Sequence, residues 1–163
     1  MEVRINDLIA ADLPADPPEG FHPLDPGEGF NLLIGQIFAR MDKDEMVLGF
    51  RCSPRHMNPH GMCHGGLLAS FSDLQAYSAR QRTGLLKVFT PTVQLTVDYL
   101  RPVRLGDWVE ARTEIVKRGR TMLISRSVAR VAERPVFTSQ AMFAIGGPDH
   151  DADRALAGLP GVD

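Results

Sequence analysis

The chain has 163 residues, which is enough for one domain with a substantial hydrophobic core. Its formal net charge of −2 gives no general attraction to nucleic acid or to an anionic membrane, so neither is expected as a partner. Two cysteines, no apolar run of membrane-spanning length and no apolar signal-peptide core at the N-terminus predict a cytoplasmic protein.

The first part of the chain changes character near residue 30. Residues 1–29 are rich in proline and are predicted to form an extended arm. Regular apolar patterning then predicts two strands, at residues 32–41 and 45–52, joined by a short turn. We expect one domain at residues 30–146, followed by a loose acidic tail at residues 147–163.

Residues 58–73 combine a turn with the start of a helix. Pro59 and Gly61 disfavour regular structure, and the chain becomes helix-compatible from the pair Gly65-Gly66 to about Arg82. N–H groups in a first helical turn lack intrahelical partners and carry partial positive charge, and glycine lets another group approach them closely. The pattern therefore predicts a binding site for an oxygen that develops negative charge.

Four more strands are predicted after the helix. Residues 92–100 alternate apolar and polar side chains, the clearest period of two in the chain. Strands at residues 108–117 and 121–132 are joined by a turn at residues 118–120, and residues 136–145 form the last strand. Because apolar residues occur on most faces of the helix, we expect an α+β protein in which an antiparallel sheet of about six strands surrounds one long central helix.

Six residues in the turn and helix follow the order and spacing of a known motif: Asn58, Gly61, His64, Gly65, Gly66 and Asp73. Together with the later segment Tyr99-Leu100-Arg101-Pro102, this motif resembles that of hot-dog acyl-CoA thioesterases of the phenylacetic-acid-degradation (PaaI-like) type, in the 4-hydroxybenzoyl-CoA thioesterase superfamily. The resemblance implies the hot-dog fold and hydrolysis of an acyl-CoA to a free acid and CoA. It leaves the acyl group open. No cofactor or metal ion is expected.

The resemblance also implies roles at the helix. Asp73 is the catalytic carboxylate, either activating water as a base or attacking the carbonyl itself, and the sequence does not choose between these routes. Gly65, with Gly66 behind it, presents the backbone N–H that polarises the thioester carbonyl. Without the resemblance, these residues would be an exposed helix carboxylate and two turn glycines.

Three further polar residues have two readings each. His64 either hydrogen-bonds the carbonyl or sulfur region of the substrate or shapes the loop. Asn58 either positions water or closes the turn through its side chain. Thr92 matches a position of the family that helps to hold the water, although threonine in a strand is ordinarily only a strand former.

The helix geometry predicts how the site is assembled. Asp73 lies eight residues after Gly65, which is about 12 Å along a helix axis and roughly 80° around it. One carbonyl cannot meet both groups from a single helix, whereas two antiparallel helices would bring one start beside the other's middle. The resemblance agrees, because it implies homodimers with shared active sites, or tetramers built from two such dimers.

Four basic residues are candidates for binding the phosphates of CoA: Arg101, Lys117, Arg118 and Arg120. They lie near predicted strand ends or in the β-turn, where a local positive cluster would attract phosphate despite the negative net charge. For any one of them alone, a solvated position in the turn is favoured over contact with phosphate, but we expect one or two of the four to make the contact.

Three competing functions have some support in the sequence. The side chains His56, His60, Cys63 and His64 suggest a metal site, but Pro59 and Gly61 interrupt the helix that would align them. Asn58-Pro59-His60 also resembles part of a hot-dog enoyl-CoA hydratase signature, whose Asp and His positions are here His56 and Gly61. A non-catalytic acyl-CoA-binding hot-dog domain is the main alternative, because it would keep the fold and could dispense with Asp73.

Overall fold

A computed structural model describes residues 16–25, 27–149 and 155–162. Seven strands form one antiparallel sheet in the spatial order β1-β2-β3-β5-β6-β7-β4. They are β1 His22–Pro23, β2 Phe38–Asp42, β3 Glu45–Arg51, β4 Thr92–Tyr99, β5 Trp108–Arg118, β6 Met122–Val131 and β7 Arg134–Ala144. The predicted α+β class and the antiparallel sheet are confirmed, and the seventh strand is the two-residue β1.

Among the described residues, three α-helices lie outside the sheet: α1 Phe30–Leu33, α2 Gly65–Asp73 and α3 Ala76–Thr83. A 3-10 turn at Pro54–His56 precedes α2. Gly84 ends α3 with a left-handed φ of 69°, as its position after the helix predicted. Among the residues described, no helix is long and apolar enough to cross a membrane.

The predicted long helix is interrupted between α2 and α3 at residues 74–75. In a continuous helix the N–H of Gln75 would bond to the carbonyl of Phe71. Instead, the side-chain NH₂ of Gln75 donates to the carbonyl of Phe71, at 3.0 Å. The backbone N–H of Gln75 donates to the carbonyl of Ser72, at 3.2 Å. Thr113 on β5 donates to the buried Gln75 Oε1, so the tightened turn is tied to the sheet.

The core lies between the helices and the sheet. The ring of Phe71, on α2, contacts Phe50 on β3 and Phe137 on β7, with ring centroids 4.8 Å and 6.4 Å away. All three rings are almost fully buried. Burial of a phenylalanine side chain contributes about 1.5–3 kcal/mol, so these contacts hold α2 firmly against the sheet.

The N-terminal part of the fold differs from the prediction. The expected strand at residues 32–41 begins only at Phe38, because α1 and a turn at Gly35 come first. Gly35 has a φ of 83°, which favours glycine and breaks the extended run. The part of the predicted arm that the structure describes packs onto the domain, since Leu24 is buried and β1 pairs with β2. Residues 1–15 lie outside the described residues.

The C-terminal segment is packed where the structure describes it. Ala155, Leu156 and Leu159 are buried against the core, although the sequence predicts a loose tail. The carbonyl of Ala155 also accepts the backbone N–H of Asp25 at 3.3 Å. The tail packs because it carries these apolar residues among its acidic ones. The division of the chain into a domain and a tail at residue 146 stays a prediction.

Strand β4 forms one end of the sheet and pairs only with β7 among the described residues. Its apolar side chains are unusually exposed, with Val93 at 59% and Tyr99 at 54% of their accessible surface. A long apolar edge strand is a template for pairing with another chain. The β4 edge is therefore a candidate surface for the dimerisation expected from the sequence.

Candidate active site

The loop before α2 is closed by Asn58. Its side-chain Oδ1 accepts the backbone N–H groups of His60, at 2.9 Å, and Met62, at 3.2 Å. The backbone of His64 is anchored as well, because its N–H donates to the carbonyl of His56 at 2.7 Å. Of the two roles expected for Asn58, the structure therefore places its oxygen in turn closure, which leaves the amide NH₂ as a donor.

His64 is the N-cap residue of α2, and its Nδ1 accepts the backbone N–H of Gly66 at 2.9 Å. A ring nitrogen that accepts a hydrogen bond carries no proton, so this contact assigns the neutral tautomer protonated at Nε2. The side chain is exposed. His64 therefore shapes the helix start and retains an Nε2–H donor.

The two glycines at the helix start are not equivalent. The N–H of Gly66 is occupied by His64, whereas the N–H of Gly65 has no hydrogen-bond partner in the described part of the chain. Gly65 is half-buried and opens the first turn, where the helix dipole is positive. The free donor is thus at Gly65, and Gly66 contributes by holding His64.

A cavity of about 320 Å³ opens at this helix start. Its walls include Met62, Gly65, Leu68, Tyr99 and Arg101. The Tyr99 hydroxyl donates to the carbonyl of Gly65 at 2.8 Å. A Cβ on Gly65 would lie 3.3 Å from the ring carbon Cζ of Tyr99, so glycine permits this close approach.

Asp73, at the end of α2, is held by Thr92 at the start of β4. The Thr92 hydroxyl donates to Asp73 Oδ1 at 2.6 Å, a short bond typical of an ionised acceptor. The carboxylate is half-buried, and its second oxygen has no hydrogen bond to any residue that the structure describes. Thr92 therefore orients the carboxylate and leaves Oδ2 for another partner.

A β-bulge makes this contact possible. Thr92 and Tyr99 both reach α2, although side chains seven residues apart on a regular strand point to opposite faces. The register shifts between Thr92 and Gln94, where β4 has one residue more than β7. The extra residue, Val93, turns Thr92 to the helix side of the sheet.

Asp73 lies between two cavities of different character. One, of about 290 Å³, is lined mainly by apolar or small residues: Phe30, Asn31, Ala69, Ser70, Leu74 and Leu95. The other, of about 270 Å³, includes Tyr77, Arg80, Thr90, Thr92 and Asp149 among its lining residues. Burial raises the pKa of Tyr77, which keeps its hydroxyl protonated in this polar cavity.

Within one chain the two halves of the predicted site stay apart. The cavity at Gly65 shares no lining residue with either cavity at Asp73. Both residues belong to α2, whose rise separates them by about 12 Å along the axis. A single chain therefore presents a half-site with the free N–H and another half-site with the carboxylate.

The four basic candidates are divided in the same way. Arg101 lines the Gly65 cavity and donates to the carbonyl of Pro135 at 2.8 Å. Lys117, Arg118 and Arg120 are exposed at the β5–β6 turn. That turn lies at the Asp73 end, since Met122 pairs with Ala144, whose N–H donates to Pro91 beside Thr92.

No group of three His, Cys, Asp or Glu side chains converges on a possible metal position within residues 16–25, 27–149 and 155–162. Both ring nitrogens of the buried His56 are engaged, Nδ1 with the N–H of Ser53 and Nε2 with the carbonyl of Ile34, each at 2.9 Å. A hydrogen bond with Cys52 and burial raise the pKa of Cys63, which keeps it a neutral thiol.

Tyr99 and α1 line the cavities of the candidate site, although sequence patterns did not indicate either of them. Tyr99 was visible only as a member of the segment Tyr99-Leu100-Arg101-Pro102, and its contact with Gly65 depends on how β4 packs along α2. Phe30 on α1 lines the apolar cavity at Asp73, but the sequence predicts no helix at residues 30–33 and starts a strand at residue 32. No local pattern indicates either contact.

A family model described as the thioesterase superfamily matches residues 60–135. PA0474 of Pseudomonas aeruginosa, a protein named as an esterase, is 31% identical over 132 residues, which is 77% of this chain and 95% of that protein. The acyl-coenzyme A thioesterase PaaI of Escherichia coli is 30% identical over 87 residues, covering 53% of this chain and 60% of that protein.

Solved structures of thioesterases share the architecture. A hypothetical thioesterase from Streptococcus pneumoniae, solved with coenzyme A, matches with a TM-score of 0.61 at 22% identity. The match covers 69% of this chain and 87% of that one. The predicted hot-dog fold and the PaaI-like resemblance are therefore confirmed.

Proposed function

Because the chain belongs to the thioesterase superfamily, we propose that it is an acyl-CoA thioesterase, which hydrolyses an acyl-CoA to a free acid and CoA. The observation that carries the proposal is the hydrogen bond of Thr92 to Asp73, which leaves one carboxylate oxygen free between two cavities. The name of the Escherichia coli relative and the coenzyme A in the pneumococcal structure support this substrate class.

Asp73 is the proposed base or nucleophile. The Thr92 hydroxyl donates its proton to Oδ1 of Asp73. The Thr92 oxygen can therefore act only as a hydrogen-bond acceptor toward a water molecule. A water that donates one proton to Thr92 and the other to Asp73 Oδ2 directs a lone pair to the substrate carbonyl. The alternative route is direct attack by Oδ2 on the carbonyl carbon, which breaks the C–S bond, releases the CoA thiolate and leaves a mixed anhydride that water then hydrolyses.

The free N–H of Gly65 is the proposed donor to the carbonyl oxygen, aided by the helix dipole. His64 Nε2–H is a second donor for the carbonyl or sulfur region. As water adds to the carbonyl carbon, the oxygen gains negative charge that these donors stabilise. The tetrahedral intermediate then collapses, the C–S bond breaks, and the CoA thiolate leaves and takes up a proton.

A homodimer paired through β4 would bring the two half-sites together. The two hydrogen bonds from β4 to α2 place Tyr99 beside Gly65 and Thr92 beside Asp73, so β4 runs antiparallel to α2. A two-fold axis between two antiparallel β4 strands sets the Thr92 end of one against the Tyr99 end of the other. Each shared site would then contain Gly65 from one chain and Asp73 from its partner.

The same symmetry supports the proposed contacts with CoA. It would carry Arg101 of one chain toward the basic β5–β6 turn of the other, which a single chain keeps at opposite ends of β4. Lys117, Arg118 and Arg120 at that turn would then join Arg101 in one positive cluster for the phosphates.

Thiol release from a panel of acyl-CoAs tests the proposed function. We expect at least one acyl-CoA to be hydrolysed by the purified protein, with activity unchanged by a metal chelator. Binding of acyl-CoA without turnover across the panel would favour the non-catalytic binding domain. Loss of activity in the chelator, restored by zinc, would contradict the mechanism proposed for Asp73.

The acyl group is proposed to occupy the apolar cavity beside Asp73. We expect Phe30→Ala to lower kcat/KM for phenylacetyl-CoA and hexanoyl-CoA by about tenfold, because it removes apolar surface from the cavity wall. Hydrolysis of acetyl-CoA, whose methyl group would bury little apolar surface in the cavity, should change by less than about twofold.

Leu32→Ala is the matched control for Phe30→Ala, since Leu32 is exposed on the same helix but lines neither cavity at Asp73. Rates for all three substrates should remain within about twofold of wild type in this variant. Equal losses for acetyl-CoA and the larger substrates, or equal effects of the two substitutions, would exclude Phe30 as a wall of the acyl pocket.

A further inference from the structure

We propose that Tyr99 is a positioning residue of this site, which fixes the peptide between Gly65 and Gly66 and, through that peptide, the ring of His64. The inference rests on the proposed thioesterase function. It adds Tyr99 to the helix-start half-site, a residue to which neither the substrate chemistry nor the motif gives a role.

The hydrogen bonds of one peptide group carry the argument. The carbonyl of Gly65 accepts the Tyr99 hydroxyl at 2.8 Å, and the N–H on the other side of the same peptide, that of Gly66, donates to His64 Nδ1 at 2.9 Å. The peptide is thus held at both of its polar ends. Donation to a carbonyl polarises the peptide and strengthens its N–H as a donor, so Tyr99 tightens the contact that orients His64.

The consequence for His64 is a single orientation and tautomer. While Nδ1 accepts from Gly66, the ring proton stays on Nε2, the nitrogen that remains for the substrate. Without the Tyr99 hydroxyl, the peptide can rotate slightly and the Gly66 contact weakens. His64 would then sample other orientations and offer its Nε2–H to the substrate for only part of the time.

The ring and the hydroxyl of Tyr99 have separable effects. The ring packs against Gly65 and walls the cavity, as shown by the 3.3 Å between Cζ and a Cβ built on Gly65. The side chain is 54% exposed at the end of the edge strand, where one hydrogen bond contributes little to global stability. Tyr99→Phe keeps the ring and removes only the donor, so it isolates the positioning effect.

A double-mutant cycle with His64→Ala tests the inference. For the best acyl-CoA of the panel, Tyr99→Phe should lower kcat by about five- to tenfold, with KM within about twofold and an unchanged melting temperature. In the His64→Ala background the same substitution should lower kcat by less than about twofold, because its target is gone.

Thr96→Val provides the matched control. It also removes a hydroxyl from β4, but Thr96 faces away from α2 because it lies three residues from Tyr99 beyond the bulge. Its kcat should stay at the wild-type value. An unchanged kcat in Tyr99→Phe, or the same fold-loss with and without His64, would overturn the role assigned to Tyr99.

Imidazole nitrogen chemical shifts of His64 give a readout that needs no turnover. In the wild-type protein they should report one neutral tautomer with the proton on Nε2, and in Tyr99→Phe they should move toward the average of two exchanging tautomers. Identical shifts in both proteins would refute the inference. If the shifts differ between the two proteins as expected but the wild-type protein hydrolyses no acyl-CoA, only the proposed function is refuted.

Discussion

Replacing Asp73 with asparagine is expected to lower kcat on acyl-CoA by about 100-fold or more. The amide oxygen of asparagine can still accept the Thr92 hydroxyl, so the side chain should keep its place. Its NH₂ group, however, can neither take a proton from water nor attack a carbonyl. Folding and the affinity for acyl-CoA should be retained, as measured by thermal unfolding and by calorimetric titration.

Asp44→Asn is the control for this substitution, because it makes the same chemical change in the exposed β2–β3 turn, away from every cavity at Asp73. It should leave kcat unchanged. Near-normal turnover in Asp73→Asn would assign the chemistry to another carboxylate. Binding of acyl-CoA without turnover, in the wild-type protein as well as in Asp73→Asn, would favour the binding-domain alternative.

The helix start was the part of the site most accessible to prediction from sequence. A glycine pair after a proline-containing turn, followed by an apolar helix with one acid, indicates a local structure whose chemistry is set by the first-turn N–H groups. The structure adds which donor is free, because only the placement of the His64 ring reveals that Gly66 is occupied and Gly65 is not.

The contacts along β4 could not be predicted in the same way. Strict alternation predicts that Thr92 and Tyr99 lie on opposite faces of the strand, yet both reach α2. The bulge at Val93 reverses the alternation, and it arises from pairing with β7 rather than from a local signal. The break at Gln75 has a similar origin, since its side chain bonds to both the helix and β5.

The N-terminal region shows a different limit of prediction from sequence periodicity. Periodicity from residue 32 favours a strand, but Gly35 at positive φ divides that run into α1 and β2. The apolar side chains of α1 remain exposed, with Phe30 at 62%. Phe30 becomes a candidate for substrate contact only because it lines the same cavity as Asp73, and a sequence pattern does not reveal a cavity.

Two inactive variants are expected to restore activity when they are combined. Asp73→Asn removes the carboxylate, and Gly65→Pro removes the free N–H without breaking a described hydrogen bond. Proline suits the first position of a helix, and His64 already has the extended backbone that a following proline requires, with ψ of 132°. Each variant alone should be nearly inactive.

Gly65→Ala separates the loss of the N–H from crowding. It adds the same Cβ contact with Tyr99, at 3.3 Å, but keeps the donor. We expect Gly65→Ala to retain much more activity than Gly65→Pro. Equal losses would show that crowding of Tyr99, rather than the missing N–H, inactivates the proline variant.

The mixing experiment tests the shared site most directly. Asp73→Asn and Gly65→Pro are denatured together in equal amounts and refolded, and thiol release is compared with that of refolded wild type. Half of the dimers should be heterodimers, in which one site carries both lesions and the other carries none, so about a quarter of wild-type activity should return. Recovery near that level is the predicted result, and an inactive mixture in which heterodimers have demonstrably formed would contradict an active site built from two chains.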